Sequence, residues 1–104
     1  MKDDFLWLQQ WFQTYCNENW EHDNRIHFRN IDNPGWCLTI NLKDTDLENK
    51  NFQEINDISR SEEDWVVCKV ENTKFDSGCG VENLPEILKV FRHWVEKEVL
   101  DTDV

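Results

Sequence analysis

Two hydrophobic periods divide the chain. Asp3 or Asp4 can cap a first helix that runs to Tyr15 or Cys16. Within it Phe5, Leu8, Phe12 and Tyr15 recur at helical spacing, and Trp7 and Trp11 widen the stripe. Residues 17–24, Asn-Glu-Asn-Trp-Glu-His-Asp-Asn, keep no period and predict a loop. From Arg25 to Asp32 the pattern alternates: Ile26 and Phe28 face one side, Arg25, His27 and Arg29 the other. Asn33-Pro34-Gly35 reads as a turn, with Pro presetting its backbone angle and Gly taking a left-handed position. Trp36, Leu38, Ile40 and Leu42 then alternate with Cys37, Thr39 and Asn41, so a β-hairpin is predicted.

Beyond the hairpin the pattern weakens. Lys43 to Asn51 predicts a polar connection, Phe52–Ile58 an irregular third strand, and Ser59 to Asp64 a charged turn. Trp65 to Val70 is strongly β-prone and should pair, across Glu71-Asn72-Thr73, with a short strand at Lys74–Asp76. Ser77-Gly78-Cys79-Gly80 predicts a flexible loop. Asn83 with Glu86 three residues on is a capping-box-like start, and Pro85 fits a first turn. Leu84, Ile87, Leu88, Phe91, Val95 and Val99 form its apolar stripe, with Trp94 at the edge. The fold class expected is α+β: an antiparallel sheet of four to five strands flanked by an N-terminal and a C-terminal helix. With 104 residues and no linker, one domain over 1–104 is expected.

Charge changes the functional picture. Twenty-two acids against 11 Lys and Arg give a net charge of −11. Such a field repels phosphate backbones and anionic lipid, which argues against nucleic-acid and membrane partners, and it attracts a basic protein. No stretch approaches a membrane span, and Met-Lys-Asp-Asp opens no signal peptide. A cytoplasmic location with reduced thiols is therefore expected for Cys16, Cys37, Cys68 and Cys79. The six Trp and six Phe supply large rings to fill a core from a modest apolar share.

Catalytic and metal chemistry find little purchase. The four Cys are far apart and lack the short paired spacing of a zinc site; Cys16, His22 and His27 are the nearest thing to a group. No metal or cofactor is implied. Cys79, between two glycines and ahead of a helix start, is the one position suited to a nucleophilic thiol, as in a small sulfurtransferase. Glu82 and Glu86 follow within the first turn and no Arg or Lys lies within four residues, so a thiolate is disfavoured. A non-enzymatic binding protein is the better reading.

Two surfaces are candidates for that binding. Between Asp44 and Asp64 lie eight acids (Asp44, Asp46, Glu48, Glu54, Asp57, Glu62, Glu63, Asp64) against Lys50 and Arg60, a net −6. The plainer account is a solvated charged edge that deters strand-to-strand aggregation. Trp20 and Glu21 mark the other surface: Trp20 either lids the core or stands out as an interface anchor.

Taken together, certain segments resemble the immunity protein 53 family of bacterial polymorphic toxin systems. They are Trp-Leu-Gln-Gln-Trp-Phe at 7–12, Asn-Trp-Glu-His at 19–22 and Asp-Asn-Pro-Gly-Trp at 32–36. Arg60-Ser61-Glu62 with Asp64-Trp65 follows, then Asn83-Leu84-Pro85-Glu86-Ile87-Leu88 with Phe91-Arg92 and Trp94. The resemblance implies a protein encoded beside a toxin that binds and neutralises it in the producing cell's cytoplasm. It carries over no catalytic residue, and its motif positions Trp20, Glu21, Pro34, Gly35 and Trp36 look like fold-keepers as much as contacts. Many secreted toxins act on nucleic acid and are basic, so a basic partner such as a nuclease suits this acidic chain.

Overall fold

The computed structural model describes residues 3–32 and 34–100, Leu100 by its backbone alone. Helix α1 spans Asp4–Tyr15, and the Asp3 carboxylate caps it by accepting from the Phe5 and Leu6 amides. A four-residue helix α2, Trp20–Asp23, stands where a loop was expected. Five strands follow: β1 Ile26–Ile31, β2 Gly35–Asn41, β3 Ile55–Asp57, β4 Val66–Glu71 and β5 Lys74–Gly80. Helix α3, Leu84–Val95, continues into a π-helical turn at Glu96–Leu100. The fold is α+β, a five-stranded antiparallel sheet with helices before and after it.

The sheet order is β1-β2-β5-β4-β3, every pair antiparallel. The register puts Ile26, Ile40, Phe75 and Val70 in one cross-strand row. Phe28, Leu38, Ser77, Cys68 and Ile55 form the next, and Asn30, Trp36, Cys79, Val66 and Asp57 the third. These rows share the face that α3 covers, so Leu38, Ile40, Val66, Cys68, Phe75 and Cys79 are buried. Ile87, Leu88, Phe91, Trp94 and Val95 of α3 and Leu8 and Trp11 of α1 close the core. Phe75, Phe91, Trp94 and Phe52 pack ring against ring at 5.0–6.4 Å. Each such side chain contributes roughly 1.5–3 kcal/mol on burial. Asp4 clamps α1 to α3 through Lys89 (3.0 Å) and Arg92 (3.1 Å).

Two expectations need correction. Ser77 to Gly80 is not a flexible loop but the second half of β5, the central strand, paired on both sides. Two glycines hid it, and each answers to a neighbour. Gly78 lies under the Trp65 ring, and a Cβ on Gly80 would run into the Glu63 carbonyl. Gly35 is likewise no left-handed residue, since no described glycine has a positive φ. It opens β2 opposite Ile31, and a side chain there would strike the Cys79 carbonyl. Asn33 of the predicted turn lies outside the described residues. The β4–β5 turn does use left-handed backbone, at Asn72 and Thr73 (φ 55° and 62°), as a two-residue hairpin demands.

Candidate functional site

The polar connection after β2 is fastened down. Leu42 and Leu47 are fully buried. The Trp20 indole N–H donates to the Lys43 carbonyl (2.8 Å), and the Trp94 indole N–H to the Asn51 carbonyl (2.9 Å). Thr45 Oγ1 donates to the Leu42 carbonyl and accepts from the Leu47 amide. An indole at each end and a leucine in the middle thus fix residues 43–51 against the core. Leu47, a single apolar residue in a polar run, has no period to reveal it.

Trp20 is buried against Trp11, Phe12 and Tyr15, with ring centroids 5.5–6.5 Å away, so it lids the core. Glu21 bridges back, its carboxylate accepting from the Asn17 amide (3.0 Å) and the Glu18 amide (2.9 Å). A bond from its own amide foremost, and then those from Asn17 and Glu18, hold the Glu21 carboxyl below its ordinary pKa. Tyr15 reaches the other segment: its hydroxyl donates to Asp46 Oδ2 (3.2 Å) and accepts from the Asp46 amide (3.3 Å). Glu48 accepts from the Asp44 amide (2.9 Å).

The fold therefore brings together two segments that the chain separates. Asp23 and Asp44 line an open groove of 490 Å³ with Tyr15, Asn17, Trp20 and Lys43. Glu21, Asp46 and Glu48 bond to its lining residues Asn17, Tyr15 and Asp44, and Glu18 follows Asn17 in the chain. Among the described residues none of these six carboxylates has an ion-pair partner. This acidic corner unites the Trp20–Glu21 segment with the first part of the acid-rich stretch.

The rest of that stretch goes elsewhere. Arg60 binds Asp57 (2.8 Å), Asp64 (3.1 Å) and, through two nitrogens, Glu86 of α3 (2.9 and 2.8 Å). Asn83 does not cap α3 with its side chain; its Nδ2 donates to Asp64 (2.8 Å) and Glu86 (3.3 Å). Arg60 foremost holds the Glu86 carboxyl below its ordinary value, and Asn83 foremost the Asp64 carboxyl. Asp57 and Asp64 thus fasten the charged turn to α3. Glu62 and Glu63 are exposed, and Glu54 lines a separate groove with Phe52, Lys89, His93 and Lys97. Of the motif positions, Pro34 is exposed, Gly35 is buried, and Trp36 is half-buried with its indole N–H on the Val81 carbonyl (3.1 Å).

Cys79 is fully buried in β5, and burial pushes its thiol up to about 11. Neither access nor acidity favours a nucleophile there. Among the described residues no three His, Cys, Asp or Glu side chains gather as a metal site would need, and no helix is long and apolar enough to cross a membrane.

Comparison with curated proteins and with solved structures gives no match. Residues 5–96, most of the chain, match the family described as Immunity protein 53. The chain, with its buried motif tryptophan and its indole-stapled acidic corner, belongs to the immunity protein 53 family.

Proposed function

We propose that this protein neutralises a cognate bacterial toxin by binding it through the acidic corner, in the cytoplasm of the cell that makes both. The family assignment supports a toxin as partner. The observation that supports the surface is six carboxylates without ion-pair partners among the described residues, on segments whose backbone is already fixed. A fixed, uncompensated charge array loses little conformational freedom on binding and steers a basic partner, such as a nuclease, toward itself. The protein acts as a non-enzymatic, cofactor-free, single-domain inhibitor of a protein target, with no direct nucleic-acid or membrane contact.

The test uses the toxin encoded beside this chain. Co-expression should yield a complex that co-purifies. Glu18→Gln, Asp23→Lys and Asp44→Asn together change side chains that make no hydrogen bond among the described residues. Asn also tolerates the left-handed backbone of Asp44. Association of the triple variant should slow roughly tenfold at low salt, with a flatter salt dependence and an unchanged Tm. Unaltered association would remove the acidic corner from the interface; failure to bind any neighbouring toxin would remove the function itself.

A further inference from the structure

Strand β1 is an edge of the sheet, and its outer side is unusually well furnished. The Asn41 amide donates to the Arg25 carbonyl (3.1 Å), which sets the phase of the β1–β2 ladder. Odd-numbered residues of β1 therefore bond to β2, and the N–H and C=O groups of Ile26, Phe28 and Asn30 point outward. Among the described residues nothing bonds to them. Beside this edge, on the helix side, lies an exposed apolar patch: Phe5 is 50%, Leu6 47% and Phe28 39% exposed. The Phe5 and Phe28 rings sit 5.6 Å apart, and Phe5, Leu6, Phe12 and Ile26 line an open groove of 580 Å³. On the opposite side of the edge stand Arg25, His27 and Arg29, exposed and without an ion-pair partner among the described residues. Two unpaired arginines are conspicuous in a chain with two acids for every Lys or Arg.

We propose that β1 adds a strand from a second protein, an extended segment in which apolar side chains alternate with Asp or Glu. The alternation follows from the edge itself. Residues of the added strand that share the helix-side face would lay apolar side chains over Phe28 and into the groove that Phe5, Leu6, Phe12 and Ile26 line. Their neighbours, on the other face, would set carboxylates against Arg25 and Arg29. A second copy of this chain fits poorly, because antiparallel pairing of two β1 strands brings cations opposite cations. Nucleic acid is opposed by the net charge of −11. This inference stands apart from the toxin reading, since it concerns another surface and opposite charge.

The probe is an acetylated Glu-Val-Glu-Phe-Glu-Val-Glu peptide titrated into the full chain, followed by amide chemical shifts and hydrogen exchange. Saturable binding should shift and protect the Ile26, Phe28 and Asn30 amides. The same peptide with Lys at every Glu position should bind at least about tenfold more weakly. Asn30→Pro removes only an outward N–H, which an edge strand tolerates, and should weaken binding by a similar factor with Tm retained. Should that variant misfold, Arg29→Glu serves instead and should narrow or reverse the preference between the two peptides. Equal binding of both peptides, shifts centred elsewhere, or no binding at millimolar peptide would each overturn the proposal. So would a concentration-dependent dimer abolished by Asn30→Pro, or displacement of the peptide by an oligonucleotide.

Discussion

Residues 44–48 and 57–64 are both acid-rich and belong to one charged stretch of the sequence. In the structure their carboxylates have different employment. Asp57 and Asp64 close on Arg60, which also takes Glu86 in a two-pronged contact, and the cluster ties the turn before β4 to the start of α3. Among the described residues Asp44, Asp46 and Glu48 make no ion pair; the Asp46 and Glu48 carboxylates accept from the Tyr15 hydroxyl and the Asp44 amide, and the charge of all three is left beside Glu18, Glu21 and Asp23. A count of charges along the chain therefore overstates what a partner can use. The charge available for recognition is the part that the fold has not already neutralised.

Trp20 is the main support of the acidic corner, packed against α1 and bonded to the Lys43 carbonyl. Trp20→Ala would vacate the space between Trp11, Phe12 and Tyr15 and leave the Lys43 carbonyl without its donor. A loss of about 3–5 kcal/mol is expected in denaturant unfolding, as for other large-to-small changes in a core. Trp20→Phe, which keeps most of the ring volume but not the N–H, should lose about 1 kcal/mol. If Trp20→Ala left stability intact and weakened only toxin binding, Trp20 would be a contact and not a lid.

Much of this arrangement was legible in the sequence, for identifiable reasons. Where alternation was strict, as in Trp36, Leu38, Ile40 and Leu42, the strand and its buried face were predictable, and so was the stripe of α3. Beyond Val95 the stripe continues in a π-helical turn, a change of winding that spacing alone does not signal. The strand at 77–80 was missed because its glycines answer to Trp65 and Glu63, which approach from elsewhere in the chain. The helix at Trp20–Asp23 is too short to show a period. The acidic corner was half visible: both of its segments stood out as candidates, but only the fold, through Tyr15–Asp46 and Trp20–Lys43, makes them neighbours.

A smaller effect separates the two acidic regions by pH. The Glu86 and Asp64 carboxyls have folded pKa values below their ordinary 4.5 and 3.8. Such groups stabilise the fold fully above those ordinary values, and the contribution is lost as pH falls through them toward the lowered folded values. Asp4, held down by Lys89 first and by Arg92, and Glu21 act with the same sign. Melting temperature should therefore decline as the pH drops below about 4.5, in line with this linkage. Glu86→Gln should start slightly lower at pH 7 and decline less steeply. Its partly exposed side chain keeps the difference to a few degrees. Parallel pH profiles for the two proteins would mean that the Arg60 cluster does not hold α3 to the turn.

The smallest change expected is also the one that asks how the corner works. Tyr15→Phe removes a single oxygen, the one that donates to Asp46 Oδ2 and accepts from the Asp46 amide. Burial raises the Tyr15 pKa, so the phenol stays protonated at neutral pH and both bonds persist there. Their loss should cost about 0.5–1 kcal/mol in stability. Every carboxylate of the corner survives the substitution, so the long-range field and the association rate with the toxin should remain as they were. A loop held less firmly must instead be ordered when the partner arrives, and the cost should appear as dissociation faster by a few-fold. That result would place fixed geometry beside charge as a source of affinity. Dissociation at the parent rate would mean that the field of the acids suffices, with the Tyr15 tether serving stability alone.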